Sequence, residues 1–358
     1  MWYYKDDQEE GSVMGWYDGS RLMNMRDLDG DIPELFFCTS NKSAGKTTFF
    51  NRYFVSRFLS HNEKFILLFR YSYELDNVAD KFFKDISSLF FNNIPIFQEK
   101  KDSGKYVQLL IDDREAGYAV SLNDVDYVKK TSHFFSDAQR ILFDEFMPES
   151  GKYLKNEPEK LFAIHTAVAR GQGQHRRYVP VYMISNPVTL LNPYYVQLGI
   201  ADRLKSETHF LRGRGWVLEQ GFNASAAEAQ KKSGIYKAFE NTQIAAYGNQ
   251  GVYLNDKKCF IENPKGKNRY IATIRVDGTD YSIRNYETEG ILFVDTSVDA
   301  TCPIKISLSV SDHNIDYIMF NQYRYLFQTF KNMFEYGRVR FKNMRAKSAF
   351  FTLLSNLT

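Results

Sequence analysis

The chain has 358 residues, 44% hydrophobic and 16% aromatic, which suits two domains or one large domain with a small one. Its 46 basic and 43 acidic residues leave a net charge of +3, so no global positive field attracts nucleic acid. The three cysteines, Cys38, Cys259 and Cys302, lack metal-ligand spacing and are interpreted as reduced core residues. An acidic N-terminus and short apolar runs predict neither a signal peptide nor a membrane span.

The first motif reads Ser-Asn-Lys-Ser-Ala-Gly-Lys-Thr from Ser40 to Thr47, between an apolar run and an amphipathic stretch. A strand ending near Thr39 and a helix beginning near Lys46 would aim backbone N–H groups and the helix dipole at nucleotide phosphates. Lys46 would reach the β- and γ-phosphates, and the Thr47 hydroxyl would ligate magnesium. The predicted nucleotide-binding residues are Ser40, Asn41, Lys42, Ser43, Ala44, Gly45, Lys46, Thr47 and Thr48.

One position of this motif departs from the usual pattern, because Ser40 stands where the pattern has glycine. A left-handed backbone angle there would be strained for serine. Downstream, Phe50, Phe54 and Phe58 recur every four residues, as a helix packed on a sheet requires. The alternative interpretation is a chance Gly-Lys-Thr in a surface turn.

The next elements predict an α/β sheet. Lys64–Arg70 has the length and apolarity of a strand buried on both faces. Residues 74–91 carry apolar side chains spaced for one helix face. Tyr106–Ile111 and Gly117–Leu122, joined through a charged turn, indicate a β-hairpin.

A pair of carboxylates follows the next buried strand, Arg140–Phe146. Ligands of open α/β sheets bind at the carboxyl ends of strands, where Asp144 and Glu145 would lie. We expect Asp144 to hold magnesium through water and Glu145 to orient and polarise the attacking water. Alone, such a string often marks a solvated acidic turn, but after a phosphate loop it predicts an NTPase.

Two further polar segments follow. Arg170–Arg177 is a glycine-broken basic loop, either a solvated connection or the source of an arginine that reaches the γ-phosphate of a neighbouring subunit. The strand from Tyr178 to Ile184 ends in Ser185 and Asn186, which we predict to sense the γ-phosphate. Asn-Pro is also an ordinary turn opener.

The character of the chain changes near Lys205. Ala224–Tyr236 is rich in Ala, Lys and Gln and has little apolar surface, which suggests a linking or lid subdomain. Residues 251–310 alternate like strands, and a helix over Tyr317–Tyr336 precedes a basic tail. These patterns predict a second α/β domain.

The motifs at Ser40–Thr47, Ile141–Phe146 and Ile184–Asn186, with Asn192-Pro-Tyr194 after them, together resemble the DNA-packaging ATPases of phi29-type tailed phages. The strings Glu63–Leu75 and Gly337–Phe341 are also similar. The resemblance implies a homo-oligomeric ring, expected to be pentameric, that uses ATP and Mg²⁺ to drive double-stranded DNA into a procapsid. Such a motor docks transiently at the portal in the host cell cytoplasm. Whether an RNA or a protein adaptor joins the ring to the portal stays open.

The resemblance also assigns roles to individual residues. Lys42 matches a basic residue inside the family's phosphate loop, and Arg170 matches the arginine finger, with Arg176 and Arg177 as alternatives. Lys129 and Lys130 match a DNA-gripping loop in the pore, although a solvated loop is the simpler interpretation. We also expect DNA contacts from three basic residues of the tail, Arg338, Arg340 and Lys342.

The implied fold class is α/β with three parts. Residues 1–205 would form a P-loop ATPase domain of the ASCE type, with a mostly parallel sheet and flanking helices. Residues 206–249 would form a helical linker or lid, and residues 250–358 an RNase H-like domain, a vestigial nuclease. The main alternative is a genome-cutting terminase with an active metal-dependent nuclease, because Asp277, Asp295, Asp299 and Asp312 lie near predicted strand ends. A third possibility is a DNA-binding or scaffold protein with a relic phosphate loop.

Overall fold

The structure is a computed structural model. It describes most of the chain, namely residues 16–170, 176–190, 192–201, 203–204, 208–240, 242, 245, 248 and 261–355. These residues form two compact units, one within Met1–Pro193 and Leu204–Asn255 and the other within Tyr194–Arg203 and Asp256–Thr358.

The first unit is built on a nine-stranded sheet. Its strands are β1 (Leu35–Thr39), β2 (Phe65–Phe69), β3 (Ile96–Lys101), β4 (Tyr106–Ile111), β5 (Arg114–Ser121), β6 (Arg140–Asp144), β7 (Val181–Ser185), β8 (Phe210–Gly213) and β9 (Trp216–Gln220). Its helices are α1 (Ser20–Met23), α2 (Lys46–His61), α3 (Val78–Phe90), α4 (Val125–Lys130), α5 (Glu157–Ala169), α7 (Ala224–Lys232) and α8 (Gly234–Ala238), with α6 (Pro193–Gln197) at the boundary of the two units.

The strand order is β3-β4-β5-β2-β6-β7-β1-β9-β8. The six central strands, from β5 to β9 in this order, pair in parallel, whereas β3-β4, β4-β5 and β8-β9 are antiparallel. Strand β7 therefore lies between β1, which leads into the phosphate loop, and β6, which carries the acids. Thr39 is in register with Ser185, and Asp144 with Ile184, so three polar strand ends meet at one edge.

The second unit contains a mixed six-stranded sheet in the order β14-β13-β10-β11-β12-β15. Its elements are β10 (Arg269–Val276), β11 (Thr279–Tyr286), β12 (Ile291–Asp295), β13 (Lys305–Ser307), β14 (Ile318–Met319), α9 (Arg324–Glu335), β15 (Val339–Phe341) and α10 (Met344–Ser355). The first three strands form an antiparallel meander, and the other three pair in parallel. Phe327 of α9 and Phe350 of α10 pack into the core of this sheet. The predicted fold class, a mostly parallel ATPase sheet and a smaller α/β domain, is confirmed.

The structure corrects several local predictions. The stretch over 74–91 is not one helix, because Asn77 takes a left-handed φ of 57° between a short 3₁₀ turn and α3. Lys129 and Lys130 lie in the last turn of α4 rather than in a loop. Residues 317–323 form β14 and a 3₁₀ turn before α9 begins at Arg324.

The range 206–249 is not purely helical, because its first part forms β8 and β9. Strand β9 pairs in parallel with β1 along Leu35–Thr39 and extends the nine-stranded sheet. Residues 224–238 then form α7 and α8, as their Ala- and Lys-rich composition predicts. A separate linker subdomain over 206–249 stays a prediction.

Candidate nucleotide-binding site

The phosphate loop joins the carboxyl end of β1 to the start of α2. Phe50, Phe54 and Phe58 are buried on the inner face of α2 and fix the helix on the sheet. The left-handed positions of the loop are Ser43, with φ of 57°, and Gly45, with φ of 94°, whereas Ser40 has no positive φ. The serine at the first position of the motif is therefore unstrained, and the left-handed angles of the loop fall later, on Ser43 and on Gly45, where glycine accommodates the angle without strain.

Lys46 is buried at the first position of α2, and its ammonium group lies inside the loop. Its Nζ donates to the Ser40 carbonyl and hydroxyl at 3.1 and 3.0 Å, to the Asn41 carbonyl at 3.3 Å and to Oδ1 of Asn186 at 3.0 Å. Burial lowers the pKa of Lys46, and the carboxylate of Asp144 opposes this effect. The lysine thus occupies the centre of the loop with partners that a phosphate oxygen can replace.

Thr47 and Asp144 lie side by side across the sheet edge. The Thr47 hydroxyl donates to Oδ2 of Asp144 at 2.9 Å, and the backbone N–H of Glu145 donates to Oδ1 at 2.8 Å. Burial raises the pKa of Asp144, and the hydrogen bond from Thr47 opposes the rise. Adjacent hydroxyl and carboxylate oxygens are the donor set that Mg²⁺ prefers, so these residues fit a magnesium ion.

Glu145 directly follows this pair, with a left-handed φ of 56° and an exposed side chain. Non-glycine residues in this conformation cluster at functional sites. Although the side chain keeps contact with solvent, partial desolvation by the surrounding protein, followed by the carboxylates of Asp144, Glu149 and Glu74, raises the pKa of Glu145. A raised pKa brings a carboxylate closer to the range in which a general base works at neutral pH.

Arg70, which follows β2, supports the acidic segment and was not identified from the sequence. Its guanidinium forms a buried bidentate pair with Glu157, with Nε and Nη2 each 2.9 Å from a carboxylate oxygen. It also donates to the Glu145 carbonyl at 3.2 Å and to the Phe146 carbonyl at 3.0 Å. The only sequence signal was an arginine directly after an apolar strand.

The two predicted sensor residues have different partners. Asn186 contacts Lys46, as described above, whereas Ser185 is buried and its hydroxyl donates to the Met147 carbonyl at 3.0 Å. Asn186 therefore reaches the loop lysine, and Ser185 holds the chain just after the acids. Thr48 is half-buried in the first turn of α2.

Residues that follow β9 in the chain form hydrogen bonds with the phosphate loop. The Asn41 amide donates to the Asn223 carbonyl at 3.1 Å, and its Oδ1 accepts from the Asn223 N–H at 2.9 Å. Gln230 donates to the Lys42 carbonyl at 3.0 Å, and the Lys42 N–H donates to the Gly248 carbonyl at 3.2 Å. Asn223 is also the N-cap of α7, and an asparagine before an Ala-rich helical segment was the available sequence signal.

Lys42 points across the mouth of the site. Its Nζ lies 2.6 Å from Oε1 of Glu149, five residues after Asp144, and both side chains are partly exposed. The loop lysine and the acidic segment are thereby linked by an ion pair on the solvent side.

The three candidate finger arginines differ in their surroundings. Arg177 donates from Nη2 to the carbonyls of Val168 at 2.8 Å and Ala138 at 3.2 Å. Arg176 forms an ion pair with Glu34. Arg170 follows α5 with an exposed side chain, and within the described part of the chain no hydrogen bond or ion pair of its guanidinium is found.

Arg170 lies too far from the phosphate loop of its own chain to contact it. Helix α5 starts at Glu157, whose carboxylate pairs with Arg70 at the carboxyl edge of the sheet. The helix ends at Ala169, whose carbonyl accepts a hydrogen bond from the Arg177 N–H, just before the amino end of β7. Its 13 residues span about 20 Å. Arg170 therefore lies at the edge opposite Asp144 and Glu145.

The predicted DNA-contact residues belong to different units. Lys129 lines a cleft of about 420 Å³ with Lys155 and Lys160 from the region of α5, and Lys130 is exposed beside it. Arg338 and Lys342 are exposed in the second unit. The Arg340 guanidinium has partners within its own unit: it forms an ion pair with Glu262 and donates to the Gly337 carbonyl at 2.8 Å.

The acids considered for a nuclease serve local turns. Asp312 accepts from the Gly278 N–H at 2.7 Å and from the Ser309 hydroxyl at 2.9 Å, and Asp299 accepts from Thr301 at 2.7 Å. Asp277 is itself a turn residue with φ of 47°, and Asp295 accepts from the Thr296 N–H at 2.7 Å. Among the described residues no three His, Cys, Asp or Glu side chains converge as metal ligands. The structure offers no support for the nuclease alternative.

Two other expectations concern cysteines and membranes. Cys38 is buried and Cys302 half-buried as free thiols, and Cys259 lies outside the described residues. In the part of the chain that the structure covers, none of the helices has the length and apolarity needed to cross a bilayer.

Comparison with known proteins extends these findings. The chain matches the family of the podovirus DNA encapsidation protein (Gp16) over residues 18–358. It is 23% identical over 327 residues to the DNA packaging protein of Bacillus phage B103, covering 90% of this chain and 97% of that protein. The corresponding protein of Bacillus phage phi29 is 21% identical, with 90% and 94% covered.

A chain of the bacteriophage phi29 viral genome packaging motor assembly has a similar fold. The TM-score is 0.63 at 21% sequence identity, and the alignment covers 96% of this chain and 100% of that one. The family match spans nearly the whole chain and confirms the resemblance seen in its phosphate loop and acidic strand. The chain belongs to the podovirus DNA encapsidation protein (Gp16) family.

Proposed function

We propose that this protein is an ATPase that drives double-stranded viral DNA into a procapsid as one subunit of a homo-oligomeric ring at the portal. The observation that carries the proposal is the contact between Thr47 and Asp144, which joins the phosphate loop to the acidic strand end beside Glu145. These parts, with Lys46, are what phosphoryl transfer to water requires.

Within this proposal, residues 40–48 bind the phosphates of ATP, and Lys46 exchanges its loop partners for phosphate oxygens. Thr47 and Asp144 would hold Mg²⁺, and a bound Mg²⁺ would neutralise negative charge on the phosphates. Glu145 orients a water molecule and accepts its proton, and its raised pKa suits that task. Asn186 accepts from Lys46 and so senses whether a phosphate occupies the loop. Ser185 positions the segment after the acids through its hydrogen bond to the Met147 carbonyl.

Charge on the transferred phosphoryl group also needs a cation that is free to approach it. Lys46 and Lys42 are the basic residues of the loop, and the Arg70 guanidinium is paired with Glu157. We assign this cation to Arg170 of a neighbouring subunit, because Arg170 lies at the edge of the sheet opposite Asp144 and Glu145 of its own chain. A ring, expected to be pentameric, supplies such a neighbour to every site.

The remaining roles are proposed from the family resemblance. Lys129, Lys130, Arg338, Arg340 and Lys342 contact DNA through its phosphates, since a motor must pass any sequence. Residues 1–205 act as the ATPase, 206–249 as a lid and 250–358 as a vestigial nuclease domain. The ring works in the host cytoplasm, docked on the portal directly or through an RNA or protein adaptor.

The deciding experiment compares Glu145→Gln with the wild-type chain. We expect Glu145→Gln to bind ATP with nearly unchanged affinity and to lose ATP turnover by at least about a hundredfold. Glu99→Gln, an exposed acid on edge strand β3, is the matched control and should retain turnover. Near-normal hydrolysis by Glu145→Gln would refute the assignment.

A further inference from the structure

Phe162 is an exposed aromatic residue on α5, the helix that ends just before Arg170. The opposite face of α5 is buried through Leu161, Ile164 and Val168, whereas Phe162 is 72% exposed. Phe162 and Thr166, four residues apart, lie on the outward side of α5, and the exposed Arg170 follows directly after the last helical residue. Large exposed aromatic side chains are enriched among the anchors of protein interfaces.

Apolar side chains are also exposed beside the phosphate loop. Ile235 and Phe239, four residues apart on α8 and at its end, are 67% and 50% exposed. Tyr236, between them, lies against Gly248, because a Cβ added to that glycine would be 2.3 Å from the Tyr236 hydroxyl. The Gly248 carbonyl in turn accepts from the Lys42 N–H of the loop. Helix α8 is therefore connected to the rim of the nucleotide site by two contacts.

We propose that Phe162 of one copy of this chain packs against Ile235 and Phe239 of the next copy, and that this contact delivers Arg170 to the next copy's phosphate loop. The inference rests on the proposed function, because it identifies the surface that supplies the missing cation. The occupant is a second copy of this chain. The Arg70 guanidinium beside the acids is paired with Glu157, and the exposed Arg170 lies at the sheet edge opposite the acids of its own chain, so its guanidinium is placed for another copy.

The two surfaces lie on different parts of the chain, so the contact is heterologous. Each copy would present α5 to one neighbour and α8 to the other, which generates a ring when the rotation closes. The apolar contact would set the distance between subunits, and Arg170 would supply charge only where that contact has formed. Subunit association and ATP hydrolysis are thereby coupled through one helix.

The first test uses two full-length chains, one with Phe162→Cys and one with Ile235→Cys, mixed with ATP and a short bismaleimide cross-linker. We expect a cross-linked dimer in the mixture and only background from each chain alone. Leu89→Cys, on α3 and 56% exposed, replaces Phe162→Cys in the control mixture and should give background. A mixture that gives no more dimer than this control overturns the proposal.

The second test exchanges charges across the contact and measures self-association by sedimentation velocity. Phe162→Lys and Phe239→Glu should each weaken association by about tenfold or more, because a buried aromatic contact is lost. Mixing the two variants should restore association between unlike chains. Unchanged association of the single variants, or no recovery in the mixture, overturns the proposal.

Two readouts separate this inference from the proposed function. If Glu145→Gln abolishes turnover while Phe162→Lys leaves association intact, the interface is rejected and the ATPase assignment stands. If Phe162→Lys associates normally but no longer joins procapsids, the face binds another protein and the inference is wrong. Normal hydrolysis by Glu145→Gln rejects the ATPase assignment regardless of either interface result.

Discussion

Arg70 and Glu157 form a buried bidentate ion pair, with both nitrogen–oxygen distances at 2.9 Å, although 87 residues separate them in the chain. The same guanidinium holds the carbonyls of Glu145 and Phe146. One side chain thus fixes the segment that carries Glu145, the proposed general base, and the start of the helix that leads to Arg170.

Arg70→Ala should therefore destabilise the protein by about 3–5 kcal/mol, because it removes the guanidinium that neutralises the buried Glu157 carboxylate. Arg70→Lys retains the charge but not the planar fork, so it should recover only part of that loss. Denaturant unfolding checks both values. Lys100→Ala, which breaks an exposed pair with Asp76, is the control and should cost no more than about 1 kcal/mol. A loss for Arg70→Ala that is no larger than this control would contradict the prediction.

Ser40→Gly and Gly45→Ala should have unequal effects on the loop. Ser40 has no positive φ, so glycine there relieves no strain and removes one hydroxyl contact with Lys46. Gly45 has φ of 94°, and a Cβ there would lie 3.1 Å from the Trp16 Cβ. Gly45→Ala should cost more than about 1 kcal/mol and weaken ATP binding. Thermal unfolding with and without ATP measures both, and equal effects of the two substitutions would show that the loop angles are wrongly assigned.

Glu145→Gln should stabilise the nucleotide-free protein at neutral pH. The pKa of Glu145 is raised in the folded state, so its ionisation opposes folding, and this cost is present above the folded pKa and absent below the unfolded one. The gain should stay below about 1 kcal/mol, because the side chain is exposed to solvent. Unfolding curves at pH 7 and pH 4 should show the gain only at the higher pH. A gain that is larger at pH 4 would contradict the sign of the shift.

Arg170→Ala subunits should bind ATP normally yet inhibit mixed rings. Each variant subunit deprives a neighbour's site of its cation, so turnover should fall more steeply than the variant fraction in a titration against wild type. Arg176→Ala, whose guanidinium pairs with Glu34, should lower turnover at most in proportion. Arg177→Ala should instead lower stability, because its guanidinium holds two carbonyls. A proportional decrease for Arg170→Ala would reject its intersubunit role.

Lys129→Ala and Lys130→Ala should weaken DNA binding equally for any DNA sequence. If each lysine contacts one phosphate, the slope of log affinity against log salt should decrease by about one unit per lysine. Asp126→Asn, on the same helix, serves as a control and should leave the slope unchanged or steeper. Loss of affinity without a change in slope would exclude phosphate contacts for these lysines.

The sequence alone determined the parts of the site whose chemistry is local. A phosphate loop depends on consecutive backbone N–H groups and one lysine, and an acidic strand end depends on adjacent residues, so Ser40–Thr47 and Asp144–Glu145 were recognisable from their own neighbours. The alternation of apolar segments also indicated the α/β class and the hairpin of β4 and β5.

Only the tertiary structure decided how distant segments support these parts. The Arg70–Glu157 ion pair joins residues 87 positions apart, and the hydrogen bonds between Asn41 and Asn223 join residues 182 positions apart. Such pairings are set by strand order rather than by local sequence pattern. The insertion of β7 between β1 and β6 brings Asn186 to Lys46. The backbone angle of Ser40 and the exposure of Arg170 at the far edge of the sheet likewise depend on packing, which periodicity does not encode.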